Sequence, residues 1–118
     1  DNHLYVQRAV QALSTPPSQA VIDENLATLK RLVEKIEARG SRVYLYTLPL
    51  APSVQATRTA KTVAAAAHAE FPEPQKWILL DGSLPELRWA DGVHLDERSA
   101  VIIAKQLDTF LKGIAEGS

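Results

Sequence analysis

The chain has 118 residues, of which 46% are hydrophobic, and its 13 basic and 14 acidic side chains leave a formal charge of -1. This size predicts one domain or part of one. Because no basic stripe is present, we do not expect nucleic acid as a partner. There is no cysteine, which excludes disulfides, zinc–thiolate sites and thiol nucleophiles. We expect no cofactor and no metal site.

The N-terminal third of the chain is predicted to form two helices. Residues 3–13 carry apolar side chains at helical spacing, and the prolines of STPPSQ, residues 14–19, end that helix. The second helix has the clearest pattern, because its apolar positions alternate in steps of four and three and so form one stripe. These positions are Ile22, Leu26, Leu29, Val33 and Ile36, and Gly40 follows where a helix C-cap glycine is expected.

Two short apolar runs in the middle of the chain are predicted to be strands. RVYLYTLPL, residues 42–50, and WILLDG, residues 77–82, are almost continuously apolar, which is typical of strands buried on both faces of a parallel sheet. An alanine-rich helix at 55–70 lies between them. We expect the two strands to be parallel neighbours, joined through that helix by a right-handed crossover.

The last part of the chain is predicted to be a loop and a helix. The loop runs from 83 to 95, and the helix begins at Asp96 or Ser99, with an apolar stripe at 103, 107, 110 and 114. The alternation of helices with buried strands predicts a three-layer α/β architecture with a parallel sheet. Because two strands make a thin sheet, we expect an N-terminal segment or a partner chain to complete it.

Asp91 and His94 stand three residues apart on the predicted loop, within WADGVHLDERSA, residues 89–100. Ligands and catalytic groups of open α/β sheets gather beyond the carboxyl ends of the strands, where this loop begins. A carboxylate beside an imidazole fixes its tautomer and makes it a usable general base. We therefore predict that an Asp91 oxygen lies within about 3.5 Å of the His94 ring. A structured turn with an Asp–backbone bond is the competing interpretation.

The block DGVHLD, residues 91–96, followed by an amphipathic helix, resembles the last conserved block of the SGNH hydrolases, or GDSL esterases, which has the form D-x-x-H. Upstream, a helix ending in ARG precedes an apolar run ending in TLPL, and residues 77–94 resemble the family's last strand and catalytic loop. The similarity covers about residues 20–112. It implies a three-layer flavodoxin-like parallel sheet, with 1–118 as a single α/β domain or the C-terminal half of one.

The resemblance also implies a function: hydrolysis or transfer of acyl groups on small esters or acylated glycans, with His94 as general base and Asp91 as its orienting carboxylate. The family's nucleophile lies in a G-D-S block, and no GDS occurs in this chain. A missing N-terminal segment is therefore expected to supply the serine, and the chain alone is expected to be inactive. The alternative is a catalytically silent α/β module that binds a partner protein or a glycan. A receiver domain is disfavoured, since no acidic cluster follows a first strand.

Four other polar or aromatic residues are weaker candidates. Ser83, in DGSL, resembles a scrambled GDSL, but it shares a loop with His94 and is assigned to a turn or cap. His68 on the alanine-rich helix is predicted to be a surface residue. Trp77 and Trp89 are expected to anchor core and loop.

The compartment is not fixed by the sequence. The sequence contains no signal peptide and no methionine. Its longest apolar run is much shorter than the roughly 20 residues that a membrane helix needs. A processed or excised piece would look like this, whether a secretion signal was removed or the chain was cut by a protease. The location therefore stays open, and an extracytoplasmic one is the favoured expectation. His3, near the start of the chain, is a minor site candidate, and the three histidines lack metal-ligand spacing.

Overall fold

Helices make up most of the described chain, residues 2–117 of the computed structural model. The helices predicted near 3–13, 22–36, 55–70 and after Asp96 are confirmed. A short fifth helix and one turn of 3-10 helix lie between them. The elements are α1 (His3–Ala12), α2 (Gln19–Glu37), α3 (Pro52–Gln55), α4 (Arg58–Glu70), a 3-10 turn (Pro74–Lys76) and α5 (Glu97–Gly117).

Polar side chains fix the helix ends where the sequence changes character. Ser18 caps α2 by accepting a hydrogen bond from the backbone N–H of Val21, and Thr57 caps α4 in the same way through Ala60. Gly40, beyond the end of α2, has a φ of +94°, which glycine adopts without steric cost. Helix α4 starts at Arg58 rather than at 55, because α3 ends just before it.

The predicted flavodoxin-like parallel sheet is wrong. Between residues 2 and 117 the two predicted strands share a single parallel bridge, Leu45 with Trp77, and no strand or sheet forms. Among the described residues no further backbone hydrogen bond joins the two segments, although Gly82 lies against Pro49. Pro49 also lacks the N–H that a ladder requires. The chain is therefore a mainly helical protein in the described range, not a three-layer α/β domain.

The molecule is open and flat. Its radius of gyration is 16.1 Å, with extents of 47 × 36 × 18 Å, whereas a compact chain of this length has about 13.5 Å. Its accessible surface of 8207 Å² compares with about 6,300 Å² for a folded monomer of this mass. The chain thus exposes about 1,900 Å² more than a compact domain would.

Helix α5 lies apart from the other helices. Within residues 2–117 it makes no close helix–helix contact, whereas α2 packs on α4, and α3 on both α1 and α4. It is held instead by loops and non-helical segments: the Phe110 ring contacts Tyr44 edge-on, with centroids 5.5 Å apart, and Gln106 binds Asp81. None of the described helices is long and apolar enough to cross a membrane.

A small core joins α1 and α3 to the loop that precedes α5. It forms around three buried residues, Ala51, Val54 and Val93. Partly buried side chains complete it: Val6, Ala9, Leu13, Leu50 and Trp89. Because Val93 stands between Asp91 and His94 in sequence, this core fixes the position of the candidate site.

A candidate catalytic pair on the loop before α5

Residues 88–99, which we call the site loop, fold back on themselves like a narrow hairpin. The Ala90 N–H donates to the His94 carbonyl at 2.9 Å, and the Asp96 N–H donates to the Arg88 carbonyl at 2.8 Å. Trp89 and Leu95 form an antiparallel bridge between these two pairs. The hydrogen-bonded pairs therefore bring the two ends of the loop together and leave Asp91–Val93 as its tip.

The first turn of α5 ties down the base of the site loop. Asp96 caps the helix, since its Oδ1 accepts the Ser99 N–H at 2.8 Å. Ser99 is 1% exposed, and its Oγ accepts the Arg88 N–H at 2.7 Å. The backbone N–H of Ser99, and after it the Ser99 side chain, hydrogen-bonds the Asp96 carboxylate and holds its pKa below the ordinary value.

Asp91 and His94 are in direct contact, as their spacing predicts. Asp91 Oδ2 lies 2.6 Å from His94 Nδ1, while Oδ1 accepts the backbone N–H groups of His94 at 2.7 Å and of Val93 at 2.9 Å. The carboxylate thus uses one oxygen to hold the turn and the other to hold the ring. Both the orienting contact and the Asp–backbone turn are present, so the two interpretations describe one arrangement.

The electrostatics of the pair keep Asp91 ionised. The hydrogen bond from the His94 side chain is the largest cause that holds the pKa of Asp91 well below its ordinary value, and the two backbone N–H donors add to it. An ionised partner at Nδ1 favours the tautomer that carries its proton there. The His94 side chain is 68% exposed, and within residues 2–117 its Nε2 has no hydrogen-bond partner, so this nitrogen is open to accept a proton.

His94 borders an apolar cavity of about 340 Å³ between α5 and the 46–50 segment. No acidic side chain, lysine or arginine lines it. Its walls are Tyr46, Leu48, Pro49, Leu50, Val93, Leu95, Ala100, Ile103, Ala104 and Leu107. His94 therefore lies at the border of a cavity whose walls suit a hydrophobic group of a ligand.

The contacts of two neighbours of the pair, Gly92 and Asn2, could not be predicted from the sequence. Gly92 at the loop tip has a φ of +82°, and a side chain there would collide with Val6 and press on Asn2. Asn2 also donates to the Ala90 carbonyl at 3.2 Å. The Asp-Gly pair signals a turn, but nothing local in the sequence indicates that α1 packs on it. Ser99 could be found as the third residue after the capping Asp96.

The remaining candidates lie elsewhere. The Ser83 hydroxyl donates to Asp81 Oδ1 at 2.6 Å and borders a different cavity, beside Pro49 and Gly82, that does not include His94. That bond and the Ser83 N–H lower the pKa of Asp81. The predicted turn role of Ser83 thus accounts for its contacts.

The other histidines do not join the site loop through any described hydrogen bond. His68 stacks on Trp77 with ring centroids 3.8 Å apart, and Trp77 Nε1 donates to the Phe71 carbonyl at 2.7 Å, so Trp77 is an anchor as expected. His3 lies in the first turn of α1. In the described range, 2–117, no three histidine, aspartate or glutamate side chains come together as a potential metal site.

Comparisons with known proteins add no relative. No protein-family model, characterised protein or solved structure matches this chain. The resemblance to SGNH hydrolases therefore stays a prediction carried by the D-x-x-H block. What the site itself defines is an ionised carboxylate that orients an exposed imidazole beside an apolar cavity.

Proposed function

We propose that Asp91 and His94 are the orienting carboxylate and general base of a serine-type acyl hydrolase or acyltransferase that acts on acyl esters. The observation that carries the proposal is the 2.6 Å contact of Asp91 with His94 Nδ1 on an exposed imidazole, whose Nε2 has no hydrogen-bond partner within residues 2–117. In hydrolases of this type the base takes the serine proton at one ring nitrogen while a carboxylate holds the other. The apolar cavity beside His94 is a suitable place for the acyl group.

The nucleophile is proposed to come from a segment outside these 118 residues. Ser83, the one serine that resembles the family's motif, is bound to Asp81 rather than to His94. A second observation also favours an additional segment near the loop: Trp89 Nε1 is buried and, among residues 2–117, has no hydrogen-bond partner. A buried N–H without an acceptor costs about 1–3 kcal/mol, so an acceptor from another segment would relieve this cost.

The isolated chain provides the first test. A general base without a positioned nucleophile and oxyanion donors lacks most of the rate acceleration, since removing members of a working triad costs about four to six orders of magnitude. We expect these 118 residues to cleave p-nitrophenyl acetate no faster than an exposed histidine does. Robust turnover that is lost in Ser83→Ala would instead make Ser83 the nucleophile and refute the proposal.

The second test uses a longer natural form of the polypeptide that includes a candidate serine segment. A fluorophosphonate probe labels an activated serine, and the expected labelling is lost in His94→Ala, reduced in Asp91→Asn and unchanged in the control Ser83→Ala. The second candidate function, a silent module that binds a partner or a glycan, is favoured by the roughly 1,900 Å² of surplus surface. No labelling of the longer form would select that alternative.

A further inference from the structure

We propose that the free backbone edge of residues 43–48 pairs with the same edge of a second copy of this chain, giving an antiparallel two-fold dimer. The proposal does not rest on the proposed function, although both use the cavity of about 340 Å³ that Tyr46, Leu48 and His94 border. It depends on where the hydrogen-bonding groups of this segment point, on how the opposite edge is blocked, and on the surplus surface of the chain.

The backbone edge of 43–48 that faces residues 76–78 makes hydrogen bonds, whereas the opposite, outer edge makes none within residues 2–117. The Leu45 N–H donates to the Lys76 carbonyl at 2.8 Å, and the Ile78 N–H donates to the Leu45 carbonyl at 2.7 Å. Because successive residues of an extended chain point their backbone groups to opposite sides, Tyr44, Tyr46 and Leu48 face outward. Within residues 2–117 none of their backbone N–H or C=O groups has a hydrogen-bond partner.

The opposite edge of the pair, along 77–81, is closed at its two ends, whereas the backbone N–H and C=O of Leu79 between them have no partner within residues 2–117. Trp77 directs its N–H to the carbonyl of Pro74, in its own turn, and the Gln106 amide binds both backbone groups of Asp81, at 2.7 and 3.3 Å. Gln106 therefore imitates a neighbouring strand and prevents one from adding there. No residue in the described range covers the 43–48 edge in this way, which makes it the available site for strand addition.

The exposed side chains suit a protein partner of this size. Tyr46 is 47% exposed and Leu48 is 50% exposed, and together they border apolar cavities of about 530 and 340 Å³. A standard interface buries about 800 Å² on each partner, and the chain exposes about 1,900 Å² more than a compact monomer. The surplus is therefore large enough for one such interface.

A second copy satisfies this edge without conflict of charge. Two identical edges related by a two-fold axis at Tyr46 present the same donors and acceptors in reverse order, so that each N–H meets a C=O. Arg42 is the only charged residue in 42–50. In the antiparallel arrangement the two Arg42 side chains lie at opposite ends, about 27 Å apart along the strands, so the pairing brings no like charges together.

Sedimentation velocity over a range of protein concentrations tests the dimer. We expect a concentration-dependent monomer–dimer equilibrium whose dissociation constant rises at least ~10-fold in Leu48→Lys, because a charged side chain disfavours edge pairing. Leu79→Lys is the matched control: Leu79 is 87% exposed but lies on the blocked edge, so its substitution leaves the dissociation constant unchanged. Circular dichroism verifies that each variant keeps its helical content.

Amide hydrogen exchange supplies a second, backbone-level readout. In the dimer the N–H groups of Tyr44, Tyr46 and Leu48 are expected to be protected, and the protection disappears on dilution to monomer. A protein that stays monomeric at all concentrations would overturn the proposal. So would open-ended oligomers, or a dimer that Leu79→Lys dissociates while Leu48→Lys does not.

Discussion

Gly92 at the tip of the site loop permits the sharpest test of how the fold positions the Asp91–His94 pair. Two separate costs arise in Gly92→Ala. A side chain at the φ of +82° costs about 1–2 kcal/mol of unfolding free energy, and the collision with Val6 adds about 1–3 kcal/mol of overpacking. The expected loss is therefore about 2–5 kcal/mol, a large part of the stability of a small domain.

The chain contains its own control for the first of these costs. Gly40 has a similar φ of +94° but has open space where its Cβ would lie. We expect Gly40→Ala to cost only about 1–2 kcal/mol. Equilibrium urea unfolding, followed by circular dichroism, measures both values, and their difference isolates the contact between α1 and the loop tip.

A double variant then assigns that contact to a specific neighbour. Combining Gly92→Ala with Val6→Ala removes the Val6 methyl group that collides, so the two substitutions should cost about 1–3 kcal/mol less together than the sum of their separate costs. Additive effects, or a Gly92→Ala cost equal to that of Gly40→Ala, would show that α1 does not press on the site loop. The reasoning on the site's position would then be refuted.

Three further predictions concern the hydrogen bonds around the pair. Ser99→Ala leaves the Arg88 N–H without its acceptor and should lower the unfolding free energy by about 1–3 kcal/mol; a loss below the error of urea unfolding would contradict this. His94→Ala removes the main cause of the low pKa of Asp91, so that pKa should rise towards about 3.9, although the two backbone donors keep it below that value. The measurement is a ¹³C NMR titration of the Asp91 carboxyl. An unchanged pKa would show that the ring contact is weak in solution. The pKa of Asp96 is lower in the folded protein than in the unfolded chain. Its ionised carboxylate therefore stabilises the fold fully at pH values above the unfolded pKa, and this stabilisation is lost as pH falls through the folded pKa. The melting-temperature deficit of Asp96→Ala should therefore shrink in acid, and a deficit independent of pH would contradict the assignment.

The features that could be predicted from the sequence are those that depend on neighbours along the chain. The stripe from Ile22 to Ile36 defines α2, and the three-residue spacing of Asp91 and His94 allows both oxygens of the carboxylate to be used. The predicted sheet is wrong because apolar runs indicate burial but not the number of available strands. Two runs alone pair only at Leu45 and Trp77.

Long-range contacts explain the rest of what sequence reasoning missed. The pairing of Gln106 with Asp81 spans 25 positions, and the bond from Asn2 to Ala90 spans 88. Neither has a periodic signature, because each involves one polar side chain meeting the backbone of one residue. The serine proposed as nucleophile has no counterpart within the described residues, and neither spacing nor composition indicates where such a group would lie.

Nearly all the hydrogen bonds that shape the candidate site begin and end within residues 88–99. The bonds of Asp91 to Val93 and His94, of Ala90 to His94, and of Ser99 to Arg88 all lie inside this twelve-residue stretch. The geometry of the pair is thus a modular property, largely separable from the remaining fold. A protein engineer could graft the stretch onto the N-terminus of another helix, provided that the host leaves room for the glycine at its tip. In evolution the same modularity would let the surrounding scaffold diverge while the carboxylate and imidazole keep their relation.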